Sequence, residues 1–352
     1  MPHTKSSPTN QASSISYNWR LNHLAELAEY SVATHFRHGL LFCATWNPST
    51  QTGYLESVSG PTQSGTKLNG IFFNDITQIC SDNLGNIYIA GDQLNKSDQG
   101  KRGNYVIKKY NIASNELTIL DKTFNGCINF VCCDRENNIY VTGNFTDSSN
   151  QKSVMKFDVT TSEWQTISDN NIDNPLDMCI DDKNRLYVLH SSYSRRDQTN
   201  TVSYLDGTSW SNITSSSLNQ ASAIGCDNNN NLFFNYATKV MAYNTITKAY
   251  TDLGTELPTY LNGFDAVYLQ HLGGTLFVAC CGFSSTYSVT SSIFAYSDTS
   301  WSEITPSEVK NGVVYGVSTT HEHPYIAVPS NLHGILIGNP TGHSINTDSF
   351  LK

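Results

Sequence analysis

A phrase of about ten residues recurs along the chain, and this repeat limits the fold more than any other feature of the sequence. The best copies are DNLGNIYIAG at 82–91, DRENNIYVTG at 134–143, DDKNRLYVL at 181–189 and DNNNNLFF at 227–234, with weaker copies at 35–44, 271–280 and 319–328. The copies follow one another about every 47 residues, a period typical of one four-stranded blade of a β-propeller. Seven copies therefore predict an all-β, seven-bladed ring.

Each repeat contains four short segments, which we label strands a to d. In the second repeat they are 76–81, 86–91, 106–112 and 116–120. Short apolar or alternating segments between Asn, Asp, Gly and Ser residues are typical of β-strands. We expect a flexible tail at 1–13 and one propeller over 14–352. Its predicted blades are 30–73, 76–120, 127–168, 175–214, 221–254, 263–305 and 312–352.

The turn between strands a and b has its own pattern. An aspartate opens it in four repeats, and Gly or Asn follows three residues later: Asp82 with Gly85, Asp134 with Asn137, Asp181 with Asn184, and Asp227 with Asn230. An Asp side chain can accept the N–H two residues on, and Gly or Asn tolerates a left-handed backbone. The pattern predicts a hairpin turn, with calcium binding as the alternative.

Most cysteines follow the same repeat. Cys80, Cys132 and Cys179 precede the central Tyr of their repeats by eight residues, and Cys226 precedes Phe233 by seven. Free cysteine behaves as a small buried hydrophobe, so we interpret these positions as packing sites on inner strands. We expect repeated positions in different blades to lie far apart. Disulfide or metal roles are the alternatives.

Aromatic residues open several d strands. Trp164, Trp210 and Trp301 hold equivalent places, which predicts an outer hydrophobic layer. Stacking on carbohydrate is the alternative.

The two ends of the chain compete for the last strand of the ring. Residues 344–350 could supply it, but 14–19 would join both termini in one blade, and we prefer that closure. Leu21, Leu24, Leu27 and Ala28 recur at helical spacing, which predicts a short amphipathic N-terminal helix. This helix would pack on the propeller, or alternatively dock a partner.

The charge excludes some classes of partner. The chain has 21 basic and 30 acidic residues, a net charge of −9, and such acidity disfavours nucleic acid. It contains no apolar run long enough to span a membrane and no apolar N-terminal signal core. We predict a monomer without a cofactor, either cytoplasmic or exported by a route that needs no such signal.

Two phrases resemble known propeller repeats. Residues 82–90 resemble the NHL repeat, while SVMKFDVTTSEW at 153–164 and SSIFAYSDTSW at 291–301 are similar to the kelch repeat. The resemblance covers roughly 30–340 and implies a propeller scaffold. Propeller scaffolds host many functions, so it selects none of them.

The main functional hypothesis concerns the loops between strands b and c. These share one face of a propeller with the d–a loops, and they are long at 91–104, 143–152, 190–200 and 280–291. Arg and aromatic residues in loops favour protein binding. The predicted partner-binding residues are Lys101, Arg102, Phe145, Tyr193, Arg195, Arg196 and Tyr287. We favour a non-enzymatic, protein-binding propeller, with carbohydrate as another possible ligand.

An enzyme is the second hypothesis. Asp75, Asp177 and Asp265 lie near the starts of inner strands, where the resemblance to propeller enzymes implies a divalent cation for hydrolase or lyase chemistry. His35 and His271 hold the turn position that is Asp elsewhere, and with His321, Glu322 and His323 they form a second candidate metal site. No nucleophile elbow, P-loop or HExxH motif is present.

Overall fold

The structure is a computed structural model. It describes residues 19–26, 30–37, 40–47, 50, 52–58, 66–68, 73–93, 104–147, 150, 152–168, 172–193, 198–213, 218, 221–236, 239–254, 264–272, 274–283, 289–297, 299–305, 318–319, 326–330 and 334–340. Within these ranges the chain forms antiparallel β-sheets, which confirms the all-β prediction. None of the described residues belongs to a helix with the length and hydropathy needed to cross a membrane.

The N-terminal part contains one strand of the closing sheet and a sheet of eight strands. The strands are β1 (Trp19–Glu26), β2 (Tyr30–Arg37), β3 (Leu40–Asn47), β4 (Thr52–Val58), β5 (Thr66–Lys67), β6 (Phe73–Ser81), β7 (Asn86–Gln93), β8 (Tyr105–Asn111) and β9 (Glu116–Ile119). The eight-stranded sheet consists of two four-strand groups, β2–β5 and β6–β9, which are joined where Gly53 pairs with Phe73.

The middle of the chain forms four separate sheets, each with four strands in chain order. Their strands are β10 (Ile128–Cys133), β11 (Ile139–Thr146), β12 (Lys152–Asp158), β13 (Glu163–Thr166); β14 (Pro175–Ile180), β15 (Leu186–Tyr193), β16 (Gln198–Asp206), β17 (Ser209–Ile213); β18 (Ile224–Cys226), β19 (Asn231–Tyr236), β20 (Lys239–Asn244), β21 (Tyr250–Asp252); and β22 (Phe264–Leu272), β23 (Thr275–Phe283), β24 (Val289–Ser297), β25 (Ser300–Glu303). We number the four-strand groups 1 to 6, from β2–β5 to β22–β25.

The closing sheet joins the two ends of the chain. It contains β26 (Ser318–Thr319), β27 (Ile326–Ser330) and β28 (Gly334–Pro340), and β1 pairs with the outer edge of β28. An N-terminal strand therefore supplies the last position, but it spans Trp19–Glu26. Of the preferred segment 14–19, only residue 19 lies within the described part of the chain, and none of 344–350 does.

The predicted N-terminal helix is wrong for residues 19–26, because they form β1. The register of β1 on β28 shifts between His23 and Ala25, so a bulge interrupts the two-residue alternation of the strand. The three-residue spacing of Leu21 and Leu24 is therefore not evidence of a helix. Pairing satisfies the backbone groups along the open edge of β28, which a helix could not do.

The first strands of the groups lie next to one another. Contacts join β2 with β6, β6 with β10, β10 with β14, β14 with β18, β18 with β22, β22 with β26, and β26 with β2. The core is divided between neighbouring groups: one cluster joins Tyr88 and Ile107 of group 2 to Ile139 and Phe157 of group 3. This arrangement, with an inner strand and a packed layer between adjacent sheets, is that of a propeller.

Candidate functional site

The a–b turns of groups 2 to 5 share a hydrogen-bond arrangement centred on the aspartate. Asp134 Oδ1 accepts the backbone N–H groups of Glu136 and Asn138, at 2.9 and 2.8 Å. Its Oδ2 accepts Asn138 Nδ2 at 2.8 Å and the Tyr140 hydroxyl at 3.0 Å. Asn137 completes the turn with a φ of 71°. The predicted N–H bond and the left-handed residue are both confirmed.

The arrangement repeats with small variations. Asp82 and Asp181 each accept two backbone N–H groups, one side-chain donor and one tyrosine hydroxyl. Asp227 accepts three donors, since Phe233 holds the tyrosine position. Burial and the neighbouring Asp134 charge raise the pKa of the Tyr140 hydroxyl, which therefore remains a proton donor.

These bonds give the turn aspartates a structural role. Each carboxylate is already surrounded by donors from its own turn, and a donor shell of this kind leaves little room for a cation. Within the described ranges, no three His, Cys, Asp or Glu side chains are arranged so that they could hold a metal ion. The calcium alternative therefore gains no support from these turns.

The left-handed asparagines also connect neighbouring groups. Asn137 Oδ1 accepts the backbone N–H of Asn83 from group 2 at 2.8 Å, and Asn184 Oδ1 accepts that of Arg135 from group 3 at 3.1 Å. Asn230 Oδ1 accepts Lys183 Nζ from group 4 at 2.6 Å. This second role was not predicted from the sequence. The signal was present, since Asn occupies three of the four positions where Gly would meet the backbone requirement alone.

Variants of Asn137 separate its two roles. Asn137→Gly keeps the left-handed turn but loses the bond to Asn83, so we expect the free energy of unfolding to fall by about 1 kcal/mol. Asn137→Ala loses the same bond and also places in the left-handed region an alanine, which lacks the short polar side chain that lets Asn adopt it, so the loss should reach about 2–3 kcal/mol. Denaturant unfolding of both variants measures the difference. Equal losses of unfolding free energy in the two variants would show that alanine adopts the left-handed conformation at residue 137 without an energetic penalty.

Asp177 is the one channel-mouth candidate whose side chain the structure describes. Its Oδ1 accepts the backbone N–H of Met178 and its Oδ2 that of Ile224 in group 5, both at 2.8 Å. Burial raises the pKa of Asp177 to about 7, although the two N–H groups act in the opposite direction. The carboxylate thus links groups 4 and 5. Asp75 lies in β6 and Asp265 in β22, and their side chains are not among those described.

Two of the candidate histidines are strand residues and not turn residues. His271 pairs with Leu276 in group 6, and His35 pairs with Phe42 in group 1. The a–b connections are shorter here, so the ladder continues through the position that is a turn Asp elsewhere. The His271 ring stacks on Phe233 with centroids 5.6 Å apart. His321, Glu322 and His323 lie outside the described residues.

The structure bears on two of the predicted partner-binding residues. Phe145 is wrong as a surface contact, because its side chain is 1% exposed and packs against Phe124 in the core. Tyr193 ends β15, paired with Gln198, so the connection predicted at 190–200 shortens to 194–197. The other five predicted contacts, Lys101, Arg102, Arg195, Arg196 and Tyr287, lie outside the described residues.

The d-strand tryptophans pack between groups, as predicted for an outer layer. Trp210 Nε1 donates to the Ile167 carbonyl of group 3 at 2.5 Å, and Trp301 Nε1 donates to the Leu253 carbonyl of group 5 at 3.0 Å. The equivalent carbonyl for Trp164 is that of Leu120, which accepts the Lys122 N–H at 2.6 Å. Trp164 Nε1, unlike the other two, has no hydrogen-bond partner among the described residues.

This difference gives a matched pair of variants. Trp210→Phe removes ring area and a hydrogen bond, whereas Trp164→Phe removes ring area and an unsatisfied donor. We therefore expect Trp210→Phe to destabilise the protein by about 1 kcal/mol more than Trp164→Phe. Chemical unfolding of the two variants checks the order. A larger loss for Trp164→Phe would contradict the assigned hydrogen bonds.

The comparisons with known proteins agree with this geometry. Residues 107–226 match the family model described as Rax2 C-terminal beta propeller domain. The chain is also similar to the solved structure of "YCF48 bound to D1 peptide", with a TM-score of 0.61 and 12% identity, covering 96% of this chain and 100% of that chain. No curated protein matches the chain. The fold and these similarities define a β-propeller repeat protein at the level of architecture.

Proposed function

We propose that this chain is a non-enzymatic, seven-bladed propeller that binds a protein partner through the face formed by its b–c and d–a loops. Groups 1 to 6 and the closing sheet would be the seven blades. The kelch-like and NHL-like phrases support the same blade architecture.

The organisation of the opposite face carries this proposal. There the turn aspartates accept donors from their own turns, and the turn asparagines bond to the preceding group. Arg135 forms an ion pair with Asp182 of group 4 on the same face. Polar groups that hold neighbouring blades together are poor candidates for a ligand site. The longest connections belong to the proposed face: the b–c connection of group 2 at 94–104, and the d–a connections that follow groups 2 to 6, each of at least eight residues. A rigid scaffold would position them for recognition.

The basic residues in these connections suggest the chemistry of the partner. Lys101 and Arg102 lie between β7 and β8, and Arg195 and Arg196 lie between β15 and β16. These pairs stand out in a chain with a net charge of −9. We propose an acidic peptide segment as the ligand, since Arg binds carboxylates with two parallel hydrogen bonds. The similar YCF48 structure was solved with a bound peptide, which supports peptide recognition by a propeller of this shape.

A displayed peptide library tests the proposal. We expect selection on the wild-type chain to enrich acidic peptides, and Arg195→Ala/Arg196→Ala to weaken the best peptide at least tenfold. Arg135→Ala is the matched control, because it removes an exposed arginine from the opposite face. Retained binding in the double variant, or an equal loss in Arg135→Ala, would overturn the choice of face. Elemental analysis of the purified protein tests the cation alternative separately.

A further inference from the structure

The inner strands bring cysteines of neighbouring groups together. Cys80 of β6 and Cys133 of β10 pack in the same core cluster, and their Sγ atoms are 3.1 Å apart. The expectation that the repeated cysteines lie far apart does not cover this pair, because Cys133 lies one residue beyond the repeated position. It is wrong for Cys179 and Cys226, which pack in one cluster. Cys80 is equivalent to Cys132, since both pair with the central tyrosine of their own repeat. The contact is made instead by the next residue, Cys133.

The contact follows from the alternation of side chains along a strand. Successive residues of β10 point to opposite faces of the sheet, so Cys133 packs toward group 2 and Cys132 toward group 4. One position on each inner strand thus meets the following group, and the next position meets the preceding group.

The same geometry operates at the two following interfaces. Cys132 packs in one cluster with Ile180 of group 4, and Cys179 packs in one cluster with Cys226 of group 5. At the interface of groups 2 and 3 a thiol therefore faces a thiol, at that of groups 3 and 4 a thiol faces an isoleucine, and at that of groups 4 and 5 a thiol again faces a thiol. Gly225 holds the matching position in group 5, since it pairs with Phe233, and a Cβ on it would contact Leu269 of group 6.

We propose that Cys80 and Cys133 are a site of oxidative modification, at which a disulfide links the inner strands of groups 2 and 3. Both cysteines are free thiols in the structure. With a peroxide as the oxidant, one thiol is converted to a sulfenic acid and one water is released. The second thiol then attacks the sulfenic sulfur, forms the S–S bond and releases a second water. Overall, two thiols lose two hydrogens and the peroxide is reduced to two waters.

Burial determines how this reaction proceeds. Cys80 is 7% exposed, and burial raises the pKa of both thiols, which disfavours the thiolate that attacks the oxidant. The closed ring should therefore react slowly, at a rate set by local opening. Once formed, the disulfide constrains the unfolded chain between residues 80 and 133, so the oxidised protein should unfold at higher denaturant concentration.

Peptide mapping of the full chain tests the site. Reduced protein is incubated with hydrogen peroxide in increasing concentrations of urea up to the start of unfolding, alkylated, digested with trypsin and analysed by mass spectrometry without reduction. We expect a crosslink between the peptide that contains Cys80 and peptide 123–135. Because peptide 123–135 contains Cys127, Cys132 and Cys133, variants are needed to assign the partner.

Two neighbouring alanine variants make the assignment. Cys132→Ala, in the same strand, should keep the crosslink, whereas Cys133→Ala should abolish it. Separate recovery of alkylated Cys80 and Cys133 from the wild-type chain at every urea concentration would overturn the proposal, as would a crosslink that survives Cys133→Ala. The assay does not involve a peptide ligand, so its failure is independent of the proposed binding function.

Discussion

Asp134→Ala is expected to lower the free energy of unfolding by about 3–5 kcal/mol, among the largest effects of any single substitution in this chain. The change removes the acceptor of four hydrogen bonds and leaves donors of Asn138 and Tyr140, residues that are 4% and 6% exposed, without that partner. A buried donor that loses its acceptor keeps the full cost of its desolvation. Equilibrium unfolding in urea measures the loss.

The repeat supplies its own control for Asp134→Ala. Asp227 accepts the same backbone bonds but no tyrosine hydroxyl, because Phe233 replaces the tyrosine. Asp227→Ala should therefore cost about 1–2 kcal/mol less than Asp134→Ala. In the double variant Asp134→Ala/Tyr140→Phe, the losses should be less than additive, since both changes remove one shared bond. Additive losses would show that the Tyr140 hydroxyl does not donate a hydrogen bond to the Asp134 carboxylate.

The sequence was sufficient to predict those features whose contacts lie within one repeat. The Asp and the Gly or Asn of each a–b turn could be predicted because a turn is local, and the spacing of Asp134 and Asn137 fixes its geometry. The blade period likewise predicted the order of strands within each sheet.

Contacts between repeats could not be predicted in the same way. The contact between Cys80 and Cys133 was not predicted, because the alternation of side chains along a strand offsets it by one residue from the repeated position. Phe145 was expected in the loop after the b strand, yet it lies within β11 and is buried, since Phe124 from the preceding connection packs against it. The cysteine contact and the burial of Phe145 both depend on how neighbouring segments pack together, and the pattern of a single repeat does not contain that information.

The substitution with the second large effect is at Gly143, where we expect Gly143→Ala to destabilise the protein by about 2–4 kcal/mol. Gly143 pairs with Ile128 at a register shift in β10, and a Cβ on it would overlap the Cys127 carbonyl oxygen. The adjacent bond from the Asn144 N–H to that carbonyl, at 2.8 Å, holds the two backbones together. Backbone atoms cannot rotate away as a side chain could, so the sheet itself must shift.

Two comparisons make the Gly143→Ala prediction specific. His190 holds the equivalent position opposite Pro175, where the matching bond from Ser191 to Asn174 is longer, at 3.2 Å. That sheet holds a side chain at this position, and there the paired backbone N–H and carbonyl groups are farther apart. Gly207→Ala is the control variant: its φ is 64° and an added Cβ meets no atom within 4 Å, so only backbone strain of about 1 kcal/mol is expected. If Gly143→Ala cost no more than Gly207→Ala, the close approach of β10 and β11 would be wrong.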